Sequence, residues 1–249
     1  MKRIKNISIY RKLVLAILFL VCFQTYSFAQ ERTVDDILKE TQNAMEQNQN
    51  MRFDMNYKWF GTYTAKKPSI SYLGNLIKSK EIIYSKINNT FFITDPTSKT
   101  SIKCNEAEKA LIIQSNITIN NDQSPVALLS TFIKLFKIKK VKDNGSQWIC
   151  TLTTDVITQL PYGKVEIYIN KETALVEKEV LYFLTKAPYK NEEGQEKIDN
   201  PRMEITLSNY KTSLSKQEKN IAKIDSYILR NGKRITPTTA YKEFKISQY

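Results

Sequence analysis

Apolar and polar residues alternate with a period of two in the clearest segment of the chain, residues 51–59. The odd positions of this segment are apolar or aromatic, and the even positions are polar or charged. This period predicts a β-strand with one buried face and one solvated face. Further strand-like runs follow at short spacing, and they include residues 69–77, 81–87, 90–94, 100–104, 110–114, 148–153, 175–184, 224–229 and 241–246.

The breaks between these runs contain residues that favour turns, such as Asn88-Asn89, Asp95-Pro96 and Asn144-Gly145. Short strands separated by such turns are typical of an antiparallel meander, because parallel strands need longer, usually helical, crossovers. We count about eleven strands in one domain, and we see no internal repeat.

Two segments have the helical period instead. The first begins at Thr33, whose hydroxyl can cap the helix with Asp36 as the reciprocal partner. Its apolar residues then recur at a spacing of three and four from Val34 to Met45. One apolar stripe predicts a helix that covers one side of another element.

The second helix is expected to begin at Ser124, with Pro125 in the first helical position, where a missing amide costs nothing. It is apolar over most of its circumference as far as Phe136. A helix of this kind needs cover on more than one side, so it is either deeply buried or lines a cavity.

The N-terminus has the three parts of a secretory signal peptide. Basic residues come first, an apolar run of 11 residues (13–23) follows, and the small residues Ser27 and Ala29 precede the expected cleavage after Ala29. We therefore expect residues 1–29 to be a signal peptide and residues 30–249 to be a single domain in the periplasm, or alternatively secreted. Cys22 raises the alternative of a lipoprotein, although Val21 before it is larger than that processing prefers.

The net charge is +13, and five of the basic residues lie in the predicted signal peptide. The remaining chain is still basic, which favours peripheral contact with an anionic membrane. Export excludes nucleic acid as the natural partner. A solvated, lysine-rich surface that only maintains solubility is the alternative explanation.

The residue types of common enzymes and metal sites are scarce. The chain has no histidine, so it lacks the most frequent general base and metal ligand, and with six glycines it shows no glycine-rich phosphate loop. We expect no enzyme activity, no catalytic residues, no metal and no cofactor. A hydrolase that uses paired carboxylates stays open as an alternative. Outside the predicted signal peptide, Cys104 and Cys150 could form a disulfide or be two small buried residues.

The order of elements resembles the periplasmic lipoprotein-carrier (LolA-like) superfamily, which includes the outer-membrane lipoprotein carrier. The matching pieces are the helix VDDILKETQNAM, the strand MRFDMNYKWF and the helix SPVALLSTFIKLF. The resemblance implies a mainly β fold, with a single curved antiparallel sheet that forms an incomplete barrel and with two helices packed on its concave face.

The resemblance also implies where an acyl chain would bind. The sheet would contribute Phe53, Met55, Tyr57 and Trp59, and the helical lid would contribute Leu128, Leu129, Phe132 and Ile133. The family's carrier holds its lid with an arginine on the sheet, but alternation places Arg52 on the face opposite Phe53, so this role is not carried over.

These observations favour a monomeric, non-enzymatic binding protein for an apolar ligand, such as an acyl chain, a lipid or a lipoprotein. The alternative is a structural or protein-interaction module of the envelope, which would have a filled core and would bind a protein partner through its surface.

Overall fold

The computed structural model describes residues 32–117, 128–156, 159–191, 193–232 and 234–249. The predicted signal peptide, Cys22 and the predicted start of the second helix at Ser124 lie outside these residues. The described part contains three α-helices, which we label α1 (Val34–Gln47), α2 (Leu128–Leu135) and α3 (Lys216–Ile221). In these described segments no helix has the length and apolar character that a membrane span requires.

The cap of α1 has the predicted geometry. The amide of Asp36 donates to the hydroxyl of Thr33 at 3.2 Å, and the amide of Thr33 donates to the carboxylate of Asp36 at 3.3 Å. Helix α3 begins with the same arrangement between Ser215 and Glu218. The sequence analysis missed α3, although the spacing S-x-x-E is itself a signature of such a cap.

The strands of the described residues are more numerous than expected. They are β1 (Asn50–Phe60), β2 (Ile70–Ser79), β3 (Ile82–Ile87), β4 (Thr90–Asp95), β5 (Thr100–Asn105), β6 (Ala110–Ser115), β7 (Ile138–Asn144), β8 (Gln147–Thr153), β9 (Tyr162–Asn170), β10 (Val176–Phe183), β11 (Ala187–Lys190), β12 (Glu196–Asp199), β13 (Arg202–Lys211), β14 (Ile228–Asn231), β15 (Arg234–Pro237) and β16 (Lys245–Gln248).

Twelve of these strands form one sheet in the order β16-β6-β5-β4-β3-β2-β1-β13-β10-β9-β8-β7. Every neighbouring pair is antiparallel except β16 and β6, which are parallel. The sheet is curved and does not close, so the predicted class is confirmed: a mainly β protein with an incomplete barrel and helices. The remaining strands form two hairpins, β11–β12 and β14–β15.

The structure corrects both predicted closing strands. Residues Ile224–Ser226 form a 3₁₀ turn before β14, and Thr239–Tyr241 form another before β16. In the first turn the amide of Tyr227 donates to the carbonyl of Ile224 at 3.0 Å, and both side chains are buried. Turns therefore place the apolar residues of this region in the core, and alternation along a strand does not predict this arrangement.

The sheet carries a hydrophobic core on each face. We call the face covered by α1 and α2 the helix-covered face, and its core includes Phe53, Leu76, Cys150, Ile167 and Ile205. The core on the opposite face lies over β2–β6 and is closed by the chain that follows β13. Its members are Ile77, Tyr84, Phe91, Ile93, Ile102, Cys104, Leu111, Ile113, Leu214, Ala222, Ile224, Tyr227 and Ile228.

The two cores meet at β2. Leu76 belongs to the core of the helix-covered face, and the next residue, Ile77, belongs to the opposite core. Successive side chains of a strand point to opposite faces of a sheet, so a single strand supplies both cores.

The two cysteines of the described chain are separated in the same way. Cys150 lies in the core of the helix-covered face and Cys104 lies in the opposite core, and both are free and fully buried. Burial raises the pKa of each thiol to about 12. The disulfide alternative is therefore wrong for this fold.

We expect both thiols to be unreactive in the native protein. Residues 30–249 should show no reaction with Ellman's reagent at pH 8 and two reactive thiols in guanidinium chloride, because a buried thiol with a raised pKa supplies almost no thiolate. The unfolding midpoint should be the same with and without dithiothreitol. A midpoint that falls on reduction would show a disulfide and contradict this arrangement.

Candidate functional site

The sheet and lid residues predicted from the sequence lie in one core. Phe53 and Met55 from β1 and Leu129 and Phe132 from α2 are fully buried in the core of the helix-covered face. Ile133 is partly buried and packs against the same core. These side chains fill the space between the sheet and the helices. The first described residue of α2 is Leu128, and its side chain lies outside the described part.

The other two predicted sheet residues, Tyr57 and Trp59, lie further along β1 and are partly exposed. They share the face of Phe53 because side chains two positions apart along a strand point the same way. Their partners on β2 are Tyr72 and Ile70, which are 41% and 46% exposed. The helices therefore leave this end of the face uncovered.

Aromatic rings connect the uncovered end to the core. The ring centroid of Trp59 lies 4.9 Å from that of Phe183, which lies 4.9 Å from that of Tyr162. Tyr162 in turn lies 6.4 Å from Phe132 of α2. Met203, partly buried, pairs with Trp59 on the other side of β1. We call this surface the open end, and its residues are Tyr57, Trp59, Ile70, Tyr72, Tyr162, Phe183 and Met203.

The opposite face of β1 has a different character. It presents Arg52, Asp54, Asn56 and Lys58, so the residues between the aromatic ones are polar or charged. Leu73, which pairs with Asn56, is 71% exposed there. The contiguous apolar surface of β1 is thus on the helix-covered face.

A buried carboxyl group, that of Glu179, lies next to the open end on the same face of the sheet. On β10 it pairs with Ile205 of β13 and with Ile167 of β9, and Ile205 pairs in turn with Tyr57. Glu179 is fully buried, and neither carboxyl oxygen has a hydrogen-bond partner within the described residues. Burial raises the pKa of Glu179 to about 8.

Three tyrosine hydroxyls interact electrostatically with this carboxyl group. Its charge helps to raise the pKa of Tyr57, to about 12, and those of Tyr162 and Tyr210, although burial is the larger cause in each case. The hydroxyl of Tyr57 donates to the sulfur of Met55 at 3.2 Å, and that of Tyr210 donates to the carbonyl of Val176 at 2.6 Å. These two hydroxyls thus donate elsewhere and leave the carboxyl oxygens unpaired.

The sequence analysis missed Glu179 because of a β-bulge. Regular alternation from the buried Val176 would place Lys178 and Val180 inside and Glu179 outside. The pairing of β10 with β9 shifts between Val176 and Lys178, and this shift moves every later side chain to the other face. The buried Leu181 of the same core confirms the new phase.

Arg52 faces away from the lid, as alternation predicts. It contacts Asp54 at 2.9 Å and Glu218 of α3 at 3.3 Å. It therefore binds the helix on the opposite face of the sheet. No group of metal-ligating side chains occurs in the part of the chain that the structure describes.

An open groove of about 470 Å³ lies on the opposite face, lined by Lys216, Gln217, Asn220, Ile221, Ser226, Tyr227 and Tyr241. The hydroxyl of Ser226 donates to the carbonyl of Asn220 at 2.6 Å, and that of Tyr227 donates to the carbonyl of Ile221 at 2.7 Å. These internal bonds stabilise the turn after α3. These two hydroxyls of the groove are already hydrogen-bonded within the protein, whereas the open end exposes a contiguous apolar surface. We therefore place the candidate site at the open end.

We expect Glu179→Gln to change how stability depends on pH. The unfolded carboxyl ionises above its usual pKa of 4.5, whereas the folded one holds its proton to about 8. The unfolded state therefore binds fewer protons between these values, and wild-type stability falls as pH rises through this window. The variant lacks this loss, so at pH 8 it should gain on the order of 3 kcal/mol relative to pH 5. Urea unfolding of both proteins at pH 5, 6.5 and 8 measures this gain, and parallel profiles would contradict it.

No protein-family model matches the chain, and no curated protein matches it in sequence. The structure is similar to a LolA superfamily protein from Nitrosomonas europaea, at 11% identity and a TM-score of 0.36, covering 78% of this chain and 99% of that one. It is also similar to a DUF1329 family protein from Desulfovibrio piger, at 12% identity and a TM-score of 0.38, covering 74% and 95%. A third similar structure is the MucA/MucB complex of Pseudomonas aeruginosa, at 13% identity and a TM-score of 0.36, covering 77% and 61%. At these identities and TM-scores the similarities carry no functional conclusion.

Proposed function

We propose that the exported chain is a non-enzymatic binding protein for an apolar ligand of the cell envelope, such as an acyl chain, a lipid or the lipid part of a lipoprotein. The observation that supports this most is the open end of the helix-covered face. Ile70 and Tyr72 are exposed there beside Tyr57 and Trp59. A contiguous exposed apolar surface of this kind is typical of a ligand or partner site.

The connection between the open end and the core supports a ligand that inserts. The rings of Trp59, Phe183 and Tyr162 lead from the exposed surface to Phe132 under α2. An extended apolar chain that follows these rings would remain in contact with apolar surface along its length. Burial of each methylene group contributes about 0.8 kcal/mol, so a chain of several carbons binds usefully.

The side chains at this site are suited to ligands of variable shape. Met55 lies beneath the open end and Met203 lies within it. Methionine is unbranched and flexible, so it adapts to irregular apolar surfaces. This favours recognition by apolar contact over recognition by a fixed set of hydrogen bonds. The basic surface of the mature chain would support peripheral contact with an anionic membrane, from which such a ligand could be taken.

A protein-interaction module is the second candidate, and one observation favours it. Phe53, Met55, Leu129 and Phe132 leave at most 1% of their surface exposed, so the space beneath the helices is filled. In this case the open end would bind an apolar segment of an envelope protein. The two candidates share the same surface and differ in what covers it.

We expect a charge at the open end to abolish uptake of an apolar probe. In residues 30–249, wild type should bind the neutral dye Nile red, with an increase in its fluorescence. Tyr72→Asp should weaken this binding about tenfold or more, because it places a carboxylate in the apolar site. Leu73→Asp is the matched control, since it introduces the same charge one position along β2 on the opposite face.

The outcomes separate the two candidates. Equal binding by the two variants would show that the dye binds elsewhere. Absence of uptake by folded wild type, together with absence of lipid in its native mass spectrum, would contradict the ligand proposal and leave the protein-interaction module. Circular dichroism of all three proteins controls for folding.

A further inference from the structure

We infer that the open end selects apolar ligands that carry a protonated amine, and that Glu179 is the group that pairs with this ammonium. The inference rests on the proposed function and names the ligand class that the site would take. It is carried by the position of Glu179, by the neutral groups that face it and by the aromatic rings on the way to it.

Glu179 is placed where an inserted ligand would end. It lies four positions before Phe183 on β10, on the same face, and one strand separates it from Tyr57. Both of its oxygens are buried without a hydrogen-bond partner in the described structure. A buried polar group without a partner destabilises the fold, and more so when it is charged. A ligand that supplies N–H donors would recover this free energy.

The tyrosines that interact with Glu179, and the helix residues named here from the same core, are neutral. The sheet contributes the phenols of Tyr57, Tyr162 and Tyr210, whose interaction with Glu179 is recorded in their raised pKa values. Helix α1 presents Thr41 to the same core, and its hydroxyl oxygen also has no partner among the described residues. Helix α2 presents the apolar Phe132.

Three basic residues of β7, β9 and β10 have partners elsewhere. Lys139 of β7 pairs with Asp35 of α1, Lys164 of β9 pairs with Glu166, and Lys178 of β10 lies over the ring of Tyr168. Burial is the cause of the raised pKa of Glu179, and no cation offsets it. Among the described residues the carboxyl group therefore has no counter-ion, and a ligand cation would supply one.

The open end favours a cation on its way to Glu179. The faces of the rings of Trp59, Tyr57, Tyr162 and Phe183 carry partial negative charge, which attracts ammonium groups and repels anions. An aromatic surface that leads to a carboxylate is thus complementary to an ammonium group on an apolar body. When Glu179 is ionised, a fatty acid would bring a second negative charge to it, and an alcohol would leave its charge uncompensated.

Amine binding should depend on pH in a defined direction. An ammonium group pairs with the ionised carboxyl, so below the pKa of about 8 its binding must release the proton of Glu179. Affinity therefore rises with pH, by at most about tenfold for each pH unit, and levels off above pH 8. The amine itself remains protonated to about pH 10.

The test is displacement of Nile red from residues 30–249 by decylamine, decanol and decanoate, each below its micelle-forming concentration. At pH 8 wild type should bind decylamine about 30-fold or more tightly than decanol, and decanoate more weakly than decanol. Glu179→Gln should keep its affinity for Nile red and decanol while the preference for decylamine falls to about threefold or less. The preference should also weaken from pH 8 to pH 6 in wild type and be constant in the variant.

Glu177→Gln is the control variant. Glu177 lies two positions away on the same strand, and its partly buried carboxylate accepts from Gln147 and Asn170. The control should keep the wild-type preference for decylamine. Wild type that binds decanol or decanoate as tightly as decylamine, or a Glu179→Gln variant that keeps the preference, would overturn the inference while Nile red binding upheld the proposed function. Absence of Nile red binding would instead overturn the proposed function, and the inference with it.

Discussion

The pairing of β1 with both β2 and β13 is the interaction on which the rest of the structure depends. Ten consecutive residues of β1, from Asn50 to Trp59, pair with β2, and most of the strand pairs with β13 on its other edge. β1 thereby joins the half of the sheet that ends at β16 to the half that ends at β7. Without this strand neither half would keep the relative position that allows α1 and the chain after β13 to cover opposite faces.

The length of β1 also explains why a site remains uncovered. A strand of 11 residues is about 36 Å long, whereas a helix of 14 residues such as α1 is about 21 Å long. The described part of α2 has 8 residues. Even when aligned along the strand, α1 cannot cover all of the apolar residues that alternation places on one face. The open end around Trp59 is the part of this stripe that extends beyond the helices.

The sequence predicts those parts of the fold that depend on local patterns. The alternation of residues 51–59 and the cap at Thr33 are confirmed in place, since both depend on residues within a few positions of each other. The sequence could not predict that Leu76 and Ile77 belong to different cores. Both residues are apolar, and the pattern does not show which elements pack on each face of the sheet. For the same reason the sequence could not exclude a bridge between Cys104 and Cys150.

The candidate site was predictable only in its apolar part. The period placed Tyr57 and Trp59 on the apolar face of β1, and the resemblance to the carrier superfamily proposed them as site residues. The structure shows that they are partly exposed, whereas Phe53 and Met55 are buried. Glu179 was hidden within the run Glu177-Lys178-Glu179, which in sequence is typical of a solvated strand face. The bulge after Val176 that turns it inward depends on pairing with β9, a long-range feature that the local composition does not encode.

Glu179 also helps to distinguish the two candidate functions. In a module whose core is simply filled, a buried carboxyl without a partner only destabilises the fold, because a leucine or methionine at this position would pack as well and would lose no hydration. Among the described residues, Glu179 is the only fully buried carboxyl group, and the other buried ionisable groups are phenols and thiols that stay neutral. Groups that are costly to the fold are concentrated at functional sites, where a ligand compensates for them. Glu179 lies on the same face of the sheet as the aromatic residues of the open end, with Ile205 and Ile167 beside it. A ligand that reaches it from the open end accounts for its position, which packing alone does not explain.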